Sequence, residues 1–312
     1  MSWSTLRYRL PISILILVVY PLLCQGKGDT LKAFEPAPSF NKGRMVKVIG
    51  TEVLLYSATM IGFSSMWYAD YPKSDFHFFD DAREWQQVDK AGHFMAAYYL
   101  NNAEAGMYNW CGVDKKKALW LSGTMGTIFL MSIEVFDGYS AEWGASVGDI
   151  AANIGGRLLS IGEELMWEEQ RVKVKFTYHP TDFAEYDPDL LGSGGMESLF
   201  KDYNGQSYWL SANIASFLSE ESKFPPWLNI AFGYGAEGMV GGFENPETID
   251  GVPVSFPRYR QYYLSLDADL SKIPTKSAFL RFVFQTMGFI KIPFPALEYN
   301  SLGNLKFHGL YY

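Results

Sequence analysis

Hydrophobic and polar positions change period partway along the chain. From about residue 43 to residue 170, long apolar segments carry polar groups at helical spacing, whereas from Val172 onward the alternation shortens to two. The first apolar stretch, VIGTEVLLYSATMIGFSSMWYA from Val48 to Ala69, is about 22 residues long with one acid, Glu52. At the helical rise it is long enough to cross a bilayer, and equally suits a long core helix. Glu52 lies near its start, where a solvated end is expected, although it could also join a polar site. The second segment, DDAREWQQVDKAGHFMAAYYLNNAEAGMY, has acids at its start and no proline, and it places Asp89, His93 and Ala97 on one face. In the third, KKKALWLSGTMGTIFLMSIEVF, Gly123 and Gly126 thin one face so that a neighbouring backbone can approach. The fourth is the clearest helix. Val147, Ile150, Ile154, Leu158 and Ile161 form one apolar stripe, and Ser146, Asp149, Asn153, Gly156 and Ser160 form another that is polar or small.

Beyond residue 171 the pattern predicts strands. VKVKFTY puts Val172, Val174 and Phe176 on one side and lysines on the other, and QSYWLSANIASFL, WLNIAFGYGAEGMV, RYRQYYLSLDADL and the terminal NLKFHGLYY read similarly. Turn signals separate them at Asn204-Gly205, Phe224-Pro225-Pro226 and 245–253, YDPDLLGSGG reads as a loop, and SAFLRFVFQTMGFI as a short amphipathic helix. The expected fold is α+β: a bundle of about four helices over 43–170 followed by a β-rich antiparallel region over 171–312. The aromatic clusters SMWYADY and SYWLS resemble membrane-interface belts, and aromatic cores have the same composition. Tyr311-Tyr312 resembles the aromatic end of outer-membrane barrel strands, but three or four strands are too few to close a barrel.

The start of the chain adds a destination. MSWSTLRYR followed by LPISILILVVYPLL reads as a signal peptide over 1–26, cleaved after Gly26, with a linker over 27–42. Lipidation at Cys24 is the rival reading, disfavoured by Leu23 before it, and an uncleaved anchor is a third. Cys111, left alone by leader removal, is expected to be structural. An apolar fraction of 48% excludes a largely disordered chain. The balance of 26 basic against 34 acidic residues argues against a nucleic-acid surface.

Chemistry concentrates between Asp89 and Gly156: Asp89, Lys90 and His93, then Glu134 and Asp137, then Ser146, Asp149, Asn153 and Gly156. Such groups are costly in apolar segments unless they are paired, so their number points to a shared polar site. Asp89 and His93, one turn apart, could pair, making His93 a general base or an imidazolium. His93, Glu134, Asp137 and Asp149 could hold a divalent ion, though their spacing matches no known zinc motif. A site of two carboxylates and a histidine near an apolar groove would also suit hydrolysis of a lipid-linked phosphate or ester. The same residues would serve equally as a hydrogen-bonded network that fixes helix register. Elsewhere, Asp187 and Asp189 flank a proline where calcium could bind, though a solvated loop explains them as well. His77 and His179 are expected at the surface, and His308 has no evident partner.

Asp89-Lys90-x-x-His93, Glu134-x-x-Asp137 and Ser146-x-x-Asp149-x-x-x-Asn153-x-x-Gly156, in that order, resemble the YfiM-type domain of unknown function of predicted bacterial envelope lipoproteins. Within it, DKAGHF, EVFDGYSAEWGASVGD and IAANIGG are similar to the Bacteroidota branch. The resemblance covers roughly 75–170. A looser one is to VanZ-like membrane proteins, with Asp137 standing where those often carry Gln and no Arg before Asp149. The resemblance implies an exported envelope protein, associated with the outer membrane or facing the periplasm, with the inner membrane as the alternative. The expected role is a structural or assembly factor whose partners are membrane lipid or an envelope protein, and the alternative is a lipid-directed hydrolase or transferase. It designates no cofactor.

Overall fold

Local chemistry starts and stops the helices of this fold. A computed structural model of the protein describes residues 35–64, 72–249 and 251–311. The proposed signal peptide, Cys24, the first part of the linker and the SMWYADY cluster lie outside the described residues. Helix α1 (Lys42–Phe63) begins where the Asn41 side chain accepts the amide of Arg44. After a short strand β1 (Phe78–Phe79) comes α2 (Val88–Trp110). The third apolar segment divides into α3 (Lys115–Leu121) and α4 (Thr124–Gly138), because Gly123 takes a left-handed conformation, φ +73°, between them. Strand β2 (Ala145–Ser146) pairs in parallel with β1 and leads into α5 (Val147–Trp167), whose amide at Asp149 is capped by the Ser146 hydroxyl at 2.9 Å.

Gly156 sets how closely α2 and α5 pack. A Cβ there would stand 2.0 Å from the carbonyl oxygen of Phe94, so only glycine permits the contact. The helices meet through α5's polar stripe: Asp149, Asn153, Gly156 and Ser160 are buried, while Val147, Ile154 and Leu158 of the apolar stripe are exposed. The same inversion recurs on α1, where Glu52 is buried in mid-helix instead of at a solvated end, while Val46, Leu54 and Ile61 are exposed.

The C-terminal region is an antiparallel six-stranded sheet in the order β10-β9-β8-β5-β4-β3, from β3 (Val172–Tyr178), β4 (Gln206–Asn213), β5 (Leu228–Glu237), β8 (Tyr259–Ala268), β9 (Phe294–Asn300) and β10 (Leu305–Tyr311). A small hairpin, β6 (Thr248–Ile249) with β7 (Val252–Pro253), stands apart. The five strand-like segments become β3, β4, β5, β8 and β10, and the sixth strand, β9, escapes a propensity reading because it carries two prolines in or beside it. The YDPDLLGSGG segment is not wholly loop. It forms α6 (Pro188–Leu191), capped by Asp187, and opens α7 (Gly195–Lys201). The amphipathic helix near the end is α8 (Ala278–Thr286).

Sheet polarity also runs opposite to that of a soluble sheet. Cross-strand register aligns Val174, Leu210, Phe232, Leu264, Leu297 and Phe307 in one row over all six strands, and Phe176, Tyr208, Tyr234, Tyr262, Tyr299 and Leu305 in the next. From Leu210 to Phe307 the aliphatic row is exposed. The other face is buried and polar. Lys175, on the side opposite Val174 and Phe176, pairs with Asp267 at 2.6 Å, both side chains 0% exposed, and Ser211 donates to the same carboxylate. Tyr311 of the last strand reaches Ser207 of β4 at 2.9 Å and Tyr263 at 3.0 Å, so the sheet curls around this polar face. His308 is paired after all, at 2.7 Å from Glu298, and His179 is half-buried beside Tyr311. His77 remains near the surface on Ser74 and Asp75.

One apolar core joins the two regions, with Trp85 and Val88 packed on Leu191, Ala236, Met239 and Val240. Cys111 is buried in a second core with Val48 and Tyr108.

Candidate functional site

Three consecutive non-glycine residues, Trp85, Gln86 and Gln87, adopt left-handed conformations with φ of 46°, 52° and 67° immediately before α2. Such residues cost roughly 1–2 kcal/mol each, so the surroundings must enforce them. Trp85 is buried and its amide donates to the Gly242 carbonyl at 2.8 Å, Tyr234 donates to the Gln86 carbonyl, and Arg260 donates to the Gln87 side chain at 3.2 Å. The sheet thereby holds a turn that delivers Asp81 and Glu84 to the first turn of α2, where Asp89 and Lys90 stand.

Lys90 is the hub. Its ammonium donates to Asp81, to Asp89 at 2.8 Å and towards Asp149, whose Oδ1 lies 3.2 Å away. Burial opposes its charge, but Asp89 and Asp149 outweigh burial and hold the amine above the usual lysine range. Asp81 also feels burial, yet hydrogen bonds from Lys90 and from Ser146 (2.7 Å) keep it below the ordinary aspartate value. Burial pushes Glu84 up to about 7, with the charges of Asp89 and Asp81 adding to it. Asp89 rises to about 6 because burial prevails over the pull of Lys90. One ammonium therefore faces more carboxylates than it neutralises, and Glu84 takes up its proton closest to neutral pH.

The second half of the site lies deeper between α2, α4 and α5. Asp89 pairs with Lys90 rather than with His93, whose Nδ1 lies 3.2 Å from Asn153 Oδ1 and 3.8 Å from Glu134 Oε1. Glu134 is buried, and its Oε2 accepts the Ser146 amide at 3.0 Å. One ring nitrogen of His93 and one carboxylate oxygen each of Glu134 and Asp149 lie within 4.8 Å of one another, and Asp81, Glu84 and Asp89 form a second such group. The structure thus brings together Asp89, Lys90, His93, Glu134, Asp149 and Asn153. Asp137, half-buried one turn along α4, stands outside both convergent groups. Glu52 lies nearer Glu104 than this site, for the charge acting on it is that of Glu104.

Asp81 and Glu84 escaped the sequence reading. The signal for them was the acidic run before α2, which looks like an ordinary helix start. Further along the α2–α5 interface, Asn101 donates to Ser160 at 2.7 Å and accepts from Ser122 at 3.1 Å, a closed network without ionised groups. Asp187 caps α6 through its own carboxylate, so in the segment that holds Asp187 and Asp189 that group already has a partner.

Residues 75–162 match the family described as "Predicted periplasmic lipoprotein (DUF2279)", a stretch that contains every residue of the polar site. The match supports the envelope-lipoprotein part of the resemblance and a periplasm-facing location. Neither the curated proteins nor the solved structures contain a significant match to this chain.

Proposed function

We propose that this protein is a membrane-seated component of the bacterial envelope, associated with the outer membrane, that acts as a structural or assembly factor with lipid and another envelope protein as its partners. The observation that carries this reading is the inverted distribution of polarity. Two segments, Lys42–Phe63 and Lys115–Gly138, are long and apolar enough to cross a membrane, with only 22% and 33% of their most apolar windows buried. A soluble core helix of that composition would be mostly covered. The sheet repeats the arrangement, since apolar-out and polar-in alternation is what lipid selects. Fractionation tests it. The full-length chain should resist high-salt and carbonate washes and band with outer-membrane markers, and Phe232→Arg with Leu264→Arg should shift it towards the soluble or degraded pool. Release of the wild-type chain by salt alone would overturn it.

A second reading, a lipid-directed hydrolase or transferase, is favoured by one observation: Asp89, Glu134 and Asp149 each keep a buried carboxylate oxygen without a hydrogen bond. A purely register-fixing network would be expected to satisfy them. A His93→Gln chain that stays abundant but fails to complement a deletion favours the enzyme. Loss of abundance together with function favours the structural factor.

A further inference from the structure

Unsatisfied atoms of Glu134, Asp149 and Asn153 lie together between α2, α4 and α5. We propose that His93, Glu134 and Asp149 form a binding site for a divalent transition-metal ion of the kind held by mixed imidazole and carboxylate donors, zinc or manganese. The three side chains come from α2, α4 and α5, and one donor atom of each lies within 4.8 Å of the others. Ligand bonds of about 2.0–2.2 Å require only modest side-chain movement to close that spacing on one ion.

Three independent features point to a cation. Glu134 is 3% exposed, yet its Oε1 makes no hydrogen bond and, among the described residues, has only His93, 3.8 Å away, within ion-pairing distance. Asp149 Oδ1 is likewise without a hydrogen bond, with the Lys90 ammonium 3.2 Å away. A buried carboxylate oxygen left as Glu134 Oε1 is left is costly, and an ion between it and Asp149 would remove the cost.

Glu134 is also already oriented: its Oε2 is held by the Ser146 amide, and Ser146 in turn caps the first turn of α5, where Asp149 stands. Such an outer contact fixes a ligand and leaves its other oxygen for the metal. Finally, among the described residues Asp81, Asp89 and Asp149 share the Lys90 ammonium and Glu134 has the His93 ring beside it, so carboxylates outnumber the cations next to them and a dication offsets the difference. The His93 side chain is the most open of the three, at 21% exposure, and provides the approach. Three protein donors leave further positions for water or a ligand oxygen. The site would exist whether the protein is a structural factor or an enzyme, so its test does not depend on either.

The full-length chain, purified in detergent and stripped with EDTA, is dialysed against ZnCl2 or MnCl2, with bound metal and the thermal midpoint measured together. Expected is stoichiometric binding of one or both ions with a raised midpoint. Glu134→Gln and His93→Gln should each weaken it by about 10- to 100-fold, while the distant Glu220→Gln leaves it unchanged. Glu134→Gln keeps an acceptor for the Ser146 amide, so it decides the matter should the histidine variant fold poorly. Absence of stoichiometric binding of either ion by the wild-type chain, or equal affinity in folded Glu134→Gln, overturns the proposal.

Discussion

The helical unit and the sheet both bury polar groups and expose apolar ones, but they complete their interiors differently. Inside the sheet, Asp267 accepts from Lys175 and Ser211 and from the Ile292 amide, Asn229 donates to Ser211 and accepts from Asn213, and Trp209 donates to Thr177. Between the helices, oxygens of Asp89, Glu104, Glu134 and Asp149 and the amide nitrogen of Asn153 make no hydrogen bond. A buried polar group without a partner costs about 1–3 kcal/mol, so a fold tolerates several together only where something else recoups the loss. Inverted polarity alone therefore does not mark a functional site. Around strand β8 of the sheet the atoms without a hydrogen bond, Arg258 Nε and Asp269 Oδ2, lie at the two ends of the strand, whereas between the helices they include four carboxylates and Asn153.

Five substitutions would break or sharpen that contrast. The largest effect is expected from Lys175→Met, which strands Asp267 in the sheet interior and should cost about 3–5 kcal/mol, read by denaturant or thermal unfolding in detergent. Metal binding by whatever fraction remains folded should be untouched. Next is Gly156→Leu, which drives a side chain into the Phe94 carbonyl and should cost at least about 1–3 kcal/mol. Leu158→Ala, on the exposed face of the same helix, should cost well under half of that. If both behave alike, α5 does not present its polar stripe to α2.

A smaller effect depends on pH. Glu84 in the folded chain titrates near 7, above its ordinary 4.5, so folding favours its protonated form. The stability contribution is complete below the ordinary value and is lost as pH rises through about 7. Glu84→Gln should flatten the fall in stability between these limits by roughly 1–2 kcal/mol after solvent screening. A slope unchanged from the wild type would remove Glu84 from the account. Smallest of all is Glu134→Gln measured without metal. Glutamine still accepts the Ser146 amide and removes a charge with too few partners, so stability should change by less than about 1 kcal/mol. A loss as large as that of Lys175→Met would make the helical interior as structural as the sheet.

Much of this was legible in the chain. The shift in period near residue 171 located the change from helix to strand, because the periods of 3.6 and 2 follow from backbone geometry alone. The same spacing put Asp149, Asn153 and Gly156 on one stripe of α5, and they do share the contact with α2. The direction in which that stripe points was not legible. A helix with one apolar and one polar face has the same pattern whether it sits in water or in lipid, and VKVKFTY likewise has the same alternation whether its lysines face solvent or Asp267.

What the sequence alone determined was the order and type of most elements and most of the residues able to carry chemistry, since those depend on neighbours within one turn or one strand. Only the tertiary structure decided who pairs with whom. Lys90 took Asp89 from His93 because a turn held by the sheet brought Asp81 alongside and Asp149 arrived from α5, sixty residues away in the chain. Side-chain charge and hydrogen bonding act through space at a few ångströms. The packing of distant segments, and not their spacing in the chain, therefore left Glu134 and Asp149 with oxygens to spare.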